Sequence, residues 1–521
     1  MRGLNSLDFL VIVLYLVGIT ALGVWVGRRQ KDAKDYFVAD REIPWWAVMF
    51  SIVATETSAL TFISIPGLAY MEDLGFLEIA AGYLLGRIVL AYTLLPRYYE
   101  GNLVTAYALL EKRFGLAARR FTSIVFMVTR GMADSVRVFA TAVPIAIIIG
   151  PLLPKAAVMP VAVLVLGALT IIYTIRGGMR AVVWTEIVQA SVYLIGGISA
   201  IIVAGHLTPG GWSSINDMAS TAGKWQVIHF TTSFREPNTL LAGLIGGAFL
   251  SMASHGADQL IVQRLLSARS LQGARAAVIG SGVAVIIQFA LFMVLGIGLW
   301  GFYGGKTFAA GPDSIFPTFI VDQMPHGLVG LLLAAVLAAT MSTHSGAINS
   351  LAAASTHDIY LPLTRRAHDD PRTLRVGRIF ALIWGIILTA GALLFPANPK
   401  TPVVVIALSI ASFTYGGLLG GFFLAIFWRR ANQRDAILGM SVGIAVMSVI
   451  VFANQISAAV PAWKSALDPV AHIAYPWYVL IGTAITLFVG ILSSLTHGAT
   501  PVLPTSPTLP SPSAAERVRS I

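Results

Sequence analysis

Residues 45–70 read WWAVMFSIVATETSALTFISIPGLAY. The stretch is long and apolar enough to cross a bilayer, which takes about 20 residues. Yet Thr55-Glu56-Thr57-Ser58 interrupts it, and Thr61, Ser64 and Pro66 follow. A second apolar stretch, near 239–263, is interrupted in the same way by Ser251, Ser254-His255-Gly256 and Asp258-Gln259. A third, near 327–356, carries the polar run Thr340-Met341-Ser342-Thr343-His344-Ser345-Gly346, then Asn349 and Ser350. Non-helical backbone at membrane depth survives only when it is buried in protein or lines a cavity. The first two of these stretches lie five apolar stretches apart. Five is odd, so two five-span units would sit in opposite orientations. Interrupted helices at matching positions of two such halves point to a transport site near the bilayer midplane. For any one stretch, small residues that let helices pack closely explain the composition as well. The pair at this spacing favours broken helices.

The rest of the chain supports a membrane frame. Of 521 residues, 56% are hydrophobic and only 11% charged, against roughly 25% charged in soluble domains. The mean hydropathy is +0.79. The net charge of +11 could suggest nucleic acid, but this apolar composition argues against that partner and makes the lipid bilayer the expected one. Thirteen apolar stretches are legible, near 7–27, 45–70, 78–96, 121–150, 156–174, 184–205, 239–263, 276–300, 327–356, 377–396, 402–428, 436–455 and 475–496. The first lacks a small-residue cleavage site and reads as a retained span. Of 35 Lys and Arg, 25 fall after odd-numbered stretches, 7 on the other side, and Arg87, Arg130 and Arg137 within stretches. Cytoplasmic loops carry the Lys/Arg excess. The expected orientation is therefore N-terminus outside and C-terminus inside, in a plasma (inner) membrane. Trp212 and Trp225 of the 206–238 loop are expected at the membrane interface. Residues 497–521 are rich in Pro, Ser and Thr and read as a disordered cytoplasmic tail. There is no cysteine, which excludes disulfides and thiolate sites.

Four motifs carry a resemblance to a known family. Residues 176–189, RGGMRAVVWTEIVQ, resemble the GG-x-x-AV-x-WTD-x-x-Q signature of the sodium/solute symporter family. Gly256-Ala257-Asp258-Gln259 with Val262-Gln263-Arg264 resembles its DQ-x-x-VQR segment, and residues 337–343, LAATMST, its AA-x-MST helix. Thr105 to Gly115, ending LEKRFG, resembles its E-x-LEKRFG loop. The resemblance covers residues 7 to 496. It implies an all-α membrane protein of the leucine-transporter type, with a five-plus-five inverted repeat over about 45–205 and 239–428. It implies a carrier that couples sodium to uptake of a small organic solute, with Na+ as coupling ion and no other cofactor.

Carried over motif by motif, the resemblance implies a sodium site of Ala54, Thr57, Ala339, Ser342 and Thr343. Some relatives have a second sodium site built on the aspartate of WTD and ninth-span serines. Here Glu186 stands at the aspartate, Ser345 is present, and Gly346 follows. The implied solute site draws on Glu56, Ser58, Thr61, Glu78, Tyr83, Arg137, His255, Thr414 and Tyr415. Intramembrane charges are functional candidates by default. A cavity arginine such as Arg137 matches a carboxylate bidentately. An ion pair of Arg137 with Asp134, or of Glu56 with an arginine, is the competing reading. Glu56 would repel an anionic solute unless paired or protonated. The solute reading leans to a carboxylate-bearing or zwitterionic molecule, with a sugar or polyol as the alternative. A membrane enzyme would need a catalytic cluster open to water, and a sensor would need an appended signalling module. No phosphate-binding glycine loop for ATP-driven transport is present. His255 and His344 lack a second metal ligand at suitable spacing.

Overall fold

The computed structural model describes residues 5–30, 32–57, 59–100, 103–150, 153–308, 311–366, 370–394 and 403–497. Ser58 and the tail beyond residue 497 lie outside them. Among the described residues the chain is helical, apart from loops and one isolated β-bridge between Ile43 and Ala268.

The helices of the bundle that bear on the site are numbered in chain order. They are α1 (Ser6–Val26), α2 (Trp45–Glu56), α3 (Ala59–Met71), α4 (Phe76–Tyr92), α5 (Leu116–Ile149), α6 (Lys155–Ile175), α7 (Gly177–Leu207) and α8 (Gly247–Gly256). There follow α9 (Gln259–Leu266), α10 (Leu271–Tyr303), α11 (Leu328–Ala354), α12 (Pro371–Leu393), α13 (Val403–Phe427), α14 (Gln433–Val451) and α15 (Trp477–Leu495). Among the described residues, eight helices are long and apolar enough to cross a bilayer, and the bent pair α2–α3 makes nine. Helices α4, α5 and α13 overlap three further apolar stretches, and α8 with α9 overlaps the stretch near 239–263.

The two expected breaks are present. Helix α2 ends at Glu56, Thr57 takes a non-helical conformation (φ −78°, ψ 79°), and α3 departs at 62°. Helix α8 ends at Gly256, and α9 restarts after Asp258, whose carboxylate accepts the Leu260 N–H and so caps the new helix. This restores one of the orphan donors that every helix start leaves. The polar run of the third stretch behaves differently. Helix α11 stays continuous through it, because its hydroxyls bond back to its own carbonyls: Thr340 to Val336, Thr343 to Ala339, Ser345 to Ser342. Such back-bonding keeps a hydroxyl satisfied without breaking the helix. From Ala334 to Ala354 every side chain is buried, so these groups meet protein and not lipid.

Helix α11 is the axis of the bundle. It packs against α7, α5, α1 and α12, while α13, α14 and α15 pack on one another and α13 also meets α5. Two glycine positions decide local geometry. Gly178, in the first turn of α7, has φ +54°, and a Cβ there would meet the Tyr36 carbonyl oxygen at 2.5 Å; only glycine adopts this conformation readily. On α4, a Cβ on Gly86 would lie 2.2 Å from the Ala248 carbonyl. Helices α4 and α8 therefore touch backbone to backbone, which brings Arg87 to Ser251 and His255.

Trp212 and Trp225, expected at the membrane interface, are held by the helices. Both pack against the helix core, and Trp212 covers Gly205 and Gly298, where any added Cβ would collide with its ring. The short helix Gly211–Thr221 folds this loop back onto the bundle.

Candidate ion and solute site

The broken end of α2 meets α11 at one buried carboxylate, Glu186 of α7. Ser51 and Thr55 of α2 and Ser342 of α11 all donate hydroxyl hydrogens to it; Thr55 lies 3.2 Å and Ser342 3.1 Å from the same oxygen, Oε1. Arg264 of α9 completes the group, its Nη2 2.6 Å from Oε1 and its Nε 3.1 Å from the Ser51 hydroxyl. Both charged side chains are wholly buried. Arg264, counted in the sequence among the basic residues of a loop, is thus an interior ion-pair partner. Helix α9 carries it inward, and position relative to an apolar stretch could not reveal that.

Of the five expected sodium ligands, Ala54 lies on α2, Thr57 just after its end, and Ala339, Ser342 and Thr343 on α11; Ser342 is the one bonded to Glu186. Ala54 lies in the last turn of α2, where carbonyls run out of intrahelical donors, and belongs to the same buried cluster as Ala339. Thr57 donates to the Val53 carbonyl at 2.8 Å and accepts from Gln288 of α10. Thr343 donates to the Ala339 carbonyl at 3.1 Å. Gln288, held in turn by the Tyr193 hydroxyl at 3.3 Å, was not singled out in the sequence; a lone glutamine in an apolar stretch is the signal that could have found it. At the expected second ion site, Ser345 donates to the Ser342 carbonyl and Glu186 already faces a guanidinium.

The solute candidates divide into groups. Glu56, at the end of α2, is ion-paired to Arg87 of α4, and His255 Nε2 is 3.4 Å away. Arg87 also donates to Ser281 at 2.7 Å. The Glu56–arginine pairing raised from sequence is therefore the one observed, with Arg87 as partner. Thr61 donates to the Glu56 carbonyl at 3.4 Å. Glu78 stands apart beneath the 206–238 loop, where its Oε1 accepts the His229 N–H at 2.7 Å. Nearby, burial pushes the Lys224 ammonium below its ordinary range, with Tyr70 and Glu72 carbonyls as its acceptors. Tyr83 packs against the core.

The remaining candidates gather along α5. Arg130 donates to Asp134 at 2.6 Å, to Asp258 at 3.1 Å and to the Tyr415 hydroxyl at 3.3 Å. Tyr415 itself donates to Asp258 at 2.6 Å. Arg137, one turn beyond Asp134, reaches its other oxygen at 3.4 Å. A cavity lined by Arg130, Asp258, Thr414 and Tyr415 opens here. Of the three in-span arginines, Arg137 is the least enclosed: its side chain is 19% exposed, against 6% for Arg130 and 0% for Arg87.

A model of the sodium:solute symporter family matches residues 36–443. The chain belongs to this family. A sodium/sialic acid symporter of Aliivibrio fischeri is 30% identical over 503 residues, covering 95% of this chain and 94% of that one. A sodium/sialic acid symporter of Proteus mirabilis is 30% identical, over 84% of this chain and 88% of its own. A solved structure, described as the substrate-bound outward-open state of a Na+-coupled sialic acid symporter, superposes with a TM-score of 0.82 at 26% identity, over 96% of this chain and all of that one. As a symporter-family member the chain is a multi-pass membrane protein, and the two helix breaks lie on a fold shared with a solved symporter.

Proposed function

We propose that the protein is a secondary active carrier that couples sodium influx to uptake of a carboxylate-bearing organic solute by alternating access. The observation that carries this reading is the junction at Glu186, where the broken end of α2 and the unbroken α11 donate to one oxygen. Sodium prefers several hard oxygen ligands, and the exposed carbonyls of a helix break beside two hydroxyls supply that chemistry. Ala54, Thr57, Ala339, Ser342 and Thr343 are the proposed ligands. The solute carboxylate is proposed to meet Arg137, with Thr61, His255 and Thr414 nearby in the path. Glu56 no longer counts against an anion, because Arg87 neutralises it. The sialic acid relatives support the same lean, since sialic acid joins a carboxylate to a polyol and so spans both solute readings. Thirteen spans, the N-terminus outside, and an inverted repeat over 45–205 and 239–428 complete the proposed frame.

The test is reconstitution into liposomes with labelled sialic acid, monocarboxylates, amino acids and sugars. Accumulation of a carboxylate solute is expected only under an inward sodium gradient. Uptake indifferent to that gradient across the panel would overturn the reading.

A further inference from the structure

Beneath Arg137, three helices from separate parts of the chain are tied through one carboxylate oxygen. Asp258 Oδ2 accepts from Arg130 of α5 and from Tyr415 of α13. Its other oxygen, Oδ1, caps α9 through the Leu260 N–H. One oxygen is thus committed to the fold, while the other holds α5 and α13 to the α8–α9 break. Asp134 links this group to Arg137, since Arg130 takes one of its oxygens and Arg137 faces the other.

The position of this tie is legible from its neighbours. Arg130 is seven residues, about 10 Å, nearer than Arg137 to the start of α5. That start follows the basic stretch Lys112-Arg113. Gln259, the next residue after Asp258, is bonded to Val104 and Ala106 of the loop on that same side, at 3.1 and 2.7 Å. A buried cluster of rings packs together here: Tyr107 against Phe126 and Phe422, and Tyr98 against Phe422. Tyr98 also donates to the Gly256 carbonyl at the break.

We propose that Arg130, Asp258 and Tyr415 form the inner gate of the solute path, backed by the Tyr98, Tyr107, Phe126 and Phe422 rings, and that Asp134 couples this gate to Arg137. The proposal rests on the carrier reading above, with the basic loops facing the cytoplasm. A solute at Arg137 reaches the cytoplasm only when Asp258 Oδ2 releases both partners. A solute carboxylate that takes Arg137 leaves Asp134 to Arg130 alone. That weakens the hold of Arg130 on Asp258 and makes release depend on a loaded site. Because the α9 cap uses the other oxygen, the gate opens without unwinding α9.

The cysteine-free chain allows a direct test. Ala133 is buried and lines the cavity at the gate, so Ala133→Cys places the sole thiol there. The probe is a membrane-impermeant cationic methanethiosulfonate applied to inside-out membrane vesicles. Slow labelling is expected with the gate intact. Asp258→Asn keeps a capping oxygen but loses the charge, and Tyr415→Phe removes one hydroxyl. Each is expected to speed labelling by about tenfold or more, the size of losing one charge-assisted hydrogen bond. Labelling from the outer face of right-side-out vesicles should not change, which separates gate opening from general loosening. Rates from the inner face that neither variant alters, or fast labelling of Ala133→Cys alone, would overturn the gate. If Asp258→Asn does not fold, Tyr415→Phe decides. Sodium-driven uptake with unaltered labelling would sink the gate and leave the carrier reading. Accelerated labelling without sodium-driven uptake would do the reverse.

Discussion

Two buried charge centres in this protein use the same chemistry to different ends. At Glu186–Arg264 a single pair is sealed, and hydroxyls of Ser51, Thr55 and Ser342 fill the remaining hydrogen-bonding capacity. Along α5, two arginines share Asp134 and Asp258 beside a cavity, and Arg137 keeps part of its surface open. Burying charge is costly unless every lone pair and proton is matched. The first centre meets that condition and behaves as a fastener. The second leaves competing partners for the same groups, which is what an exchange of partners during transport requires.

The largest effect expected from this contrast is on stability. Arg264→Met leaves Glu186 buried without its counter-charge and should cost about 3–5 kcal/mol, seen as a lower melting temperature in detergent. The double variant Arg264→Met with Glu186→Gln should recover much of that loss. A single variant as stable as the native protein would break the contrast at its firmer end. Next in size is Arg137→Ala, which should weaken carboxylate solute binding by about tenfold to a hundredfold while melting stays close to native. Undiminished affinity would remove Arg137 from recognition. Smaller again is the pair Ser342→Ala with Thr343→Ala. It should raise the sodium concentration for half-maximal uptake by about tenfold, and unaltered sodium dependence would discard the proposed ion site. The smallest effect is assigned to Ser345→Ala. With Glu186 already matched by Arg264, it should change sodium dependence by no more than about twofold. A fall in the sodium cooperativity of uptake would instead point to a second ion beside Glu186.

Both helix breaks were legible in the sequence, because polar and helix-breaking residues interrupt two apolar stretches at matching positions. Their partners were not. Arg87 stood out as an intramembrane charge, but nothing in its own surroundings names Glu56; only tertiary packing of α4 beside the end of α2 makes the match. Arg264 was hidden by the rule that basic residues mark loops, since that rule counts position along the chain and α9 turns its side chain inward. The polar run on α11 reads as an interruption by composition alone, and hydroxyl back-bonding keeps it helical. The Arg130–Asp134 pair was within reach, being four residues apart on one helix face. Asp258 and Tyr415 arrive from far along the chain, and only packing joins them.

The continuity of α11 has a mechanical consequence. Of the two walls of the proposed ion site, α2 can bend at Thr57 and α11 cannot. In the transport reading an ion held between them works as a spacer gauge: it binds well at one separation only, and any swing of α2 away from α11 shows up as lost sodium affinity. The outside sodium concentration then sets the force that keeps the hinge drawn against its rail.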